Sequence, residues 1–110
     1  MIYILNTLIV PVNFDEDNEV TVKMKRINVD EAKFLLAGEF ESAVGHQSTA
    51  EVISKILGVK IHPERKTIFF KKGDMGIHFF LRERLPEGKI LSQEELEKLD
   101  YWLVLSQVVE

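Results

Sequence analysis

Residues 101–109 read YWLVLSQVV, and a run this apolar tolerates few environments. Side chains alternate between the two faces of a strand, so apolar residues on both faces require cover on both. The run therefore predicts a central or interface strand, and such a strand needs a sheet around it. The rest of the chain supplies candidates. Residues 2–5, IYIL, form a short apolar run that suits a strand buried on both faces, and residues 19–27, EVTVKMKRI, alternate, with Val20, Val22 and Met24 on one face. The alternation predicts a half-buried strand. Residues 40–44 read as a further short strand. Residues 67–70 and 77–81 are strand-like and are joined by KKGDMG, whose glycines and Asp74 favour a hairpin.

Helical signals lie between these strands. Asn28 and Glu31 have capping spacing ahead of Ala32, Leu35 and Leu36, which predicts a helix over about residues 29–37 with Gly38 at its end. Ser48 and Glu51 repeat the spacing ahead of Val52, Ile53, Ile56 and Leu57, so a second helix is expected from Thr49 to a stop at Gly58. Ser92 and Glu95 do so again ahead of Leu96 and Leu99. The segment LIVPVNFDEDN reads as a loop ending in a turn, and RLPEG as another loop. Helices and strands alternate without repeat or linker, so the fold class is α/β: a single domain over residues 1–110, a mixed β-sheet flanked by about three helices. A chain of 110 residues buries roughly two-thirds of its unfolded surface, enough for one core.

Composition narrows the chemistry. The chain has no cysteine, which removes disulfides, thiolate nucleophiles and cysteine-ligated zinc. Its formal net charge of −4 argues against a coat for DNA or long RNA, where many phosphates must be neutralised. A small anionic ligand in one local pocket fits the charge. No stretch approaches the roughly 18 apolar residues of a membrane span, and the N-terminus lacks signal-peptide character. A cytoplasmic protein with no membrane partner is expected.

The candidate chemistry centres on His46, between Gly45 and the second helix. Amides that open a helix lack intrahelical partners and carry the positive end of its dipole, so they can hold a phosphate. Ser48 and Thr49 add hydroxyls, and Gly45 offers a backbone conformation closed to other residues. Histidine titrates near pH 6.5 and can protonate a leaving oxygen at neutral pH. The same residues also describe a plain capped helix preceded by a surface histidine. A second candidate is the loop with Arg84, Pro86, Glu87 and Lys89, where Arg84 can fork onto a phosphate and Glu87 can accept from a ribose hydroxyl. An ordinary solvated turn has the same composition. His62 precedes a proline in a loop, and His78 lies in an apolar strand where a satisfied structural role is expected. Neither has metal-ligand spacing to another histidine or a carboxylate pair, no cofactor signature is present, and no metal is expected.

Three segments together carry a resemblance: the opening strand ending in LNT, the central AVGHQST, and RLPEGKILSQEEL. Over nearly the whole chain they resemble the small ring nucleases that degrade cyclic tetra-adenylate, known as type III anti-CRISPR proteins of archaeal viruses and found also in bacteria and mobile elements. The resemblance implies a homodimer whose two subunits share the pocket for the cyclic nucleotide. It puts the catalytic histidine on His46, the loop arginine and glutamate on Arg84 and Glu87, and ligand contacts on Asn6, Ser48, Thr49 and Arg65; Gly45 and Lys89 join the expected ligand-binding set from the reading of the residues themselves. Family members can carry a serine a few residues after the asparagine; this chain has Leu8 and Ile9 there. The implied reaction is metal-independent, giving linear di-adenylate with a 2′,3′-cyclic phosphate and switching off type III CRISPR signalling. The resemblance leaves room for a sponge that binds the ring uncut, or for a regulatory dimer. If the source is viral, the compartment is the host cytoplasm.

Overall fold

The computed structural model describes residues 1–85 and 90–109. Its elements are β1 (Ile2–Leu5), β2 (Thr21–Arg26), α1 (Val29–Leu35), β3 (Glu41–Ser42), α2 (Gln47–Leu57), β4 (Met75–Leu81), α3 (Gln93–Glu97) and β5 (Tyr101–Val109). The five strands form one sheet in the order β2-β5-β4-β1-β3. β1 is parallel to both β3 and β4, whereas β5 is antiparallel to β2 and β4. The sheet is therefore mixed, and the apolar C-terminal run is an interior strand with both edges paired.

Strand alternation splits the sheet into two unlike faces. Ile4, Ile77, Phe79 and Leu103 point to one, where Ala32 of α1, Ala50, Ile53 and Leu57 of α2 and Leu96 of α3 pack over them as the main core. Phe79 stacks on Tyr101 at 4.6 Å between ring centroids. Leu5, Phe70 and Val108 form a smaller cluster on the other face, flanked by Tyr3, Val10, Val20, Val22 and Ile68. All three helices cover the first face; loop segments cover part of the second. Phe80, Trp102 and Val104 share that second face and are only half-buried.

Two of the three expected capping boxes form. Asn28 accepts from the Glu31 amide at 2.8 Å and its own amide donates to Glu31 Oε1 at 3.3 Å. Ser92 and Glu95 make the reciprocal pair at 3.2 and 3.1 Å. The third does not form: α2 begins at Gln47 with His46 as N-cap, two positions ahead of the expected start, and Ser48 lies within its first turn. Ser48 therefore stands inside the helix and cannot serve as its N-cap, and the Glu51 carboxylate instead accepts from Gln47 Nε2 at 3.2 Å. The stop at Gly58 is as expected, with φ of 65° in the left-handed region.

Three strand expectations are corrected. The hairpin across KKGDMG is absent, because β4 takes β1 and β5 as its neighbours and has no free edge for residues 67–70. That segment instead meets the loop after β1, where the Phe70 amide donates to the Pro11 carbonyl at 2.8 Å. β2 is mostly exposed rather than half-buried: it lies at the sheet edge, and Met24 is 43% exposed. β3 is two residues long, and residues 43–46 leave the sheet at once.

A polar path runs through the second face. His78 of β4 is fully buried, with Nδ1 at 2.6 Å from the Thr7 carbonyl and Nε2 at 2.7 Å from Ser106 Oγ. A carbonyl can only accept, so Nδ1 carries the proton and the Ser106 hydroxyl donates to Nε2. Gly76, paired across from Ser106, makes room for this contact; a Cβ there would lie 2.6 Å from Ser106 Oγ and 2.8 Å from His78 Nε2. Burial pushes the His78 pKa below its ordinary value, with the Thr7 bond partly opposing. Below its ordinary value near pH 6.5, the ring of the unfolded chain takes up a proton that the folded ring resists, so acid favours unfolding. The urea midpoint is therefore expected to fall as pH drops from about 7.5 to about 5.5, and His78→Asn, which cannot titrate there, is expected to flatten that slope. Parallel pH profiles of the two proteins would contradict this account.

Candidate functional site

Parallel strands β1 and β3 release their chains at the same end of the sheet, and an open cleft of about 510 Å³ lies between the two departing segments. Such crevices beyond the carboxyl ends of strands are the usual ligand position in open α/β sheets. Asn6 and Thr7 line it from β1, and Ala43, Gly45 and His46 from the connection between β3 and α2. Residues 64–67, Glu-Arg-Lys-Thr, add a third wall.

That third wall is tied to the second by three bonds. Ser42 Oγ donates to the His62 carbonyl, the Glu64 amide to the Val44 carbonyl at 2.8 Å, and Arg65 Nε to the Gly45 carbonyl at 3.1 Å. Arg65 has five N–H donors, of which this bond uses one, and its guanidinium is held by backbone rather than by an acid. Lys66 pairs with Glu41 at 3.1 Å across exposed surface, an ion pair worth little that a ligand anion can replace. One wall of this cleft thus carries Arg65 and Lys66 beside Glu64.

His46 is exposed and extended, with φ of −124° and ψ of 129°, and its side chain makes no capping bond. The first backbone bond of α2 runs from the Ala50 amide to the His46 carbonyl at 3.0 Å. The amides of Gln47, Ser48 and Thr49 precede that bond and have no side-chain cap, so the positive end of the helix dipole is open to an anion.

Of the residues expected from sequence, Asn6, Gly45, His46 and Arg65 come together around the cleft. Ser48 and Thr49 lie in the first turn of α2, beside its lining rather than in it. Arg84 is exposed beyond β4 and does not line the cleft within one chain. Glu87 and Lys89 lie outside the described residues. Sequence reasoning missed Thr7, Glu64, Lys66 and Thr67. The charged run after His62-Pro63 was the available signal for the last three, but nothing local tells a cleft wall from a solvated loop. Among the described residues, no group of three or more His, Asp or Glu side chains is placed to hold a metal ion, and no helix is long and apolar enough to cross a membrane.

The reason expected for Gly45 is overturned. Among the described residues the glycines with positive φ are Gly58 and Gly73, not Gly45. A Cβ on Gly45 would sit 3.4 Å from Arg65 Cγ, an ordinary contact with a flexible stem. Gly45→Ala is accordingly expected to change stability by less than about 0.5 kcal/mol, whereas Gly58→Ala is expected to cost about 1 kcal/mol or more for its left-handed backbone. Urea denaturation of the two variants checks the contrast, and equal losses would refute it.

Comparison with known proteins adds a family. The model of the family described as STIV B116-like matches residues 2–103. Protein 26 of Sulfolobus islandicus filamentous virus is 40% identical over 111 aligned residues, covering 99% of this chain and 92% of that protein. YddF of Bacillus subtilis is 41% identical over 86 residues, covering 76% and 80%. The solved structure of B116 of Sulfolobus turreted icosahedral virus superposes with a TM-score of 0.79 at 19% identity, covering 96% of this chain and 97% of that one. At that identity the likeness speaks for the fold alone.

Proposed function

The chain belongs to the STIV B116-like family, and we propose that it is a metal-independent ring nuclease that binds cyclic tetra-adenylate and cuts it to linear di-adenylates ending in 2′,3′-cyclic phosphate. The observation that carries this reading is the setting of His46. Its imidazole is exposed, uncommitted to capping, and on the wall of a cleft that also holds Asn6, Arg65 and Lys66. A ribose 2′-oxygen of the ligand attacks its own adjacent phosphorus in line, the bond from phosphorus to the 5′-oxygen breaks, and His46 gives its proton to that oxygen. The proton of the 2′-hydroxyl passes to a base, the role that the resemblance gives to Glu87. Arg65 and the uncapped amides of α2 offset charge gathering on the phosphorane. The biological consequence is removal of the type III CRISPR second messenger.

A ring with two-fold symmetry suits a two-fold pair of clefts, so the working form is a homodimer. Pairing also gives Arg84, which does not line the cleft of its own chain, a route to the partner's. The half-buried Phe80, Trp102 and Val104 on the helix-free sheet face supply apolar surface for such pairing. Analytical ultracentrifugation at micromolar concentration is expected to give a dimer that Trp102→Glu shifts to monomer; a monomeric parent protein contradicts the arrangement.

Incubation with cyclic tetra-adenylate in EDTA is the direct test of the reaction. Linear products support the nuclease, an intact ring retained by the protein marks a sponge, and absence of binding marks a regulatory dimer. His46→Ala is expected to bind the ring with affinity close to the parent while its cleavage rate falls by about a hundredfold or more. Equal rates for variant and parent would remove His46 from the mechanism.

A further inference from the structure

Strand β1 ends at Leu5, which stands opposite His78 in the parallel register with β4. Asn6 and Thr7 therefore lie beyond the last paired position of β1, yet they form one wall of the cleft. A segment that has left the ladder has lost the bonds that fixed its height, and something else must hold it. The His78 ring does so from inside the sheet, with Nδ1 at 2.6 Å from the Thr7 carbonyl.

We propose that His78 is a positioning residue for the cleft, acting through the Thr7 carbonyl to fix the wall that presents Asn6 and Thr7 to a ligand. This rests on reading the cleft as a ligand site. The ring is itself clamped: Nε2 lies 2.7 Å from Ser106 Oγ, and Gly76 leaves the space in which the two meet, since a Cβ there would also lie 2.9 Å from Phe70 Cζ. Two adjacent strands thus give three positions to one polar path, from the Ser106 hydroxyl through the imidazole to the carbonyl. An apolar side chain at position 78 would fill the same volume, but Thr7 would lose its donor. The path runs through the sheet and does not include His46, so it shapes the site without touching the reacting atoms.

Amide replacements separate positioning from space-filling. Asparagine places a donor where Nδ1 stands and can reach Thr7; glutamine places its amide near the position of Nε2 and faces Ser106. Leucine restores volume alone. The ligand-free test is heteronuclear NMR of the ¹⁵N-labelled full chain. The parent is expected to show the His78 proton on Nδ1, with the Asn6 and Thr7 resonances retained in His78→Asn and displaced in His78→Gln and His78→Leu. A proton on Nε2 in the parent overturns the proposal without any variant, as do Asn6 and Thr7 resonances indifferent to all three substitutions. With cyclic tetra-adenylate as probe, the expected dissociation constant of His78→Asn is within about threefold of the parent, and that of His78→Gln is weaker by about tenfold. Affinities that follow side-chain volume, with glutamine better than asparagine, mark a core-filling residue and refute positioning. A parent that does not bind the ring refutes the nuclease reading instead, and the resonances still decide the role of His78.

Discussion

Strand β5 is hydrogen-bonded along both edges, by β2 on one side and β4 on the other, and this double pairing governs the rest of the sheet. β4 then has one edge left, which β1 takes in parallel, and β1 has one edge left for β3, again in parallel. Two neighbouring parallel strands release the chain at the same end, so residues 6–7 and 43–46 emerge side by side. The cleft is the space between them. It follows from strand order, whereas its chemistry follows from the few residues that the two departures happen to carry.

The uneven covering of the two faces has its own consequence. Helices α1, α2 and α3 bury one face under aliphatic and aromatic side chains, with Ser42, opposite Ile4 in the ladder, as a buried polar residue beside them. The other face has loop cover near Leu5, Phe70 and Val108, and there the sheet accommodates His78, Ser106 and Gly76. A histidine buried among aliphatic groups survives only with both nitrogens satisfied, and here a hydroxyl and a carbonyl satisfy them. The acceptor is backbone that has just left β1, so satisfying the buried ring and anchoring the edge of the cleft are one contact.

What the sequence reveals follows the range of the interactions involved. The opening strand and two capping boxes, at Asn28 with Glu31 and at Ser92 with Glu95, depend on neighbours within four residues and are legible as pattern. The Ser48 box fails for an equally local reason: α2 starts at Gln47, so Ser48 is already within its first turn. The hairpin expected across KKGDMG fails for a non-local one, since whether residues 67–70 find a strand partner depends on β1 and β5 already flanking β4. The site divides the same way. Asn6, Gly45, His46 and Arg65 meet at one cleft, but the contact between Arg65 and the Gly45 carbonyl spans 20 residues, and that between His78 and Thr7 spans 71. Neither leaves a periodic trace.

Three histidines that look alike in the sequence answer opposed demands. A group that passes a proton to a ligand must be reachable and must not be spent on structure; His46 is exposed, and its ring takes no part in capping α2. A group that holds a wall in place must keep one tautomer, and burial disfavours the charged form of His78 while Thr7 and Ser106 engage both of its nitrogens. Exchanging these environments would defeat both roles: a doubly bonded ring cannot release its proton without breaking a contact, and an exposed ring can change tautomer by exchange with water. His62 serves neither purpose, since the contact that places it uses its backbone carbonyl, which accepts from Ser42. Environment, set by which strand face or helix end each residue occupies, separates the three.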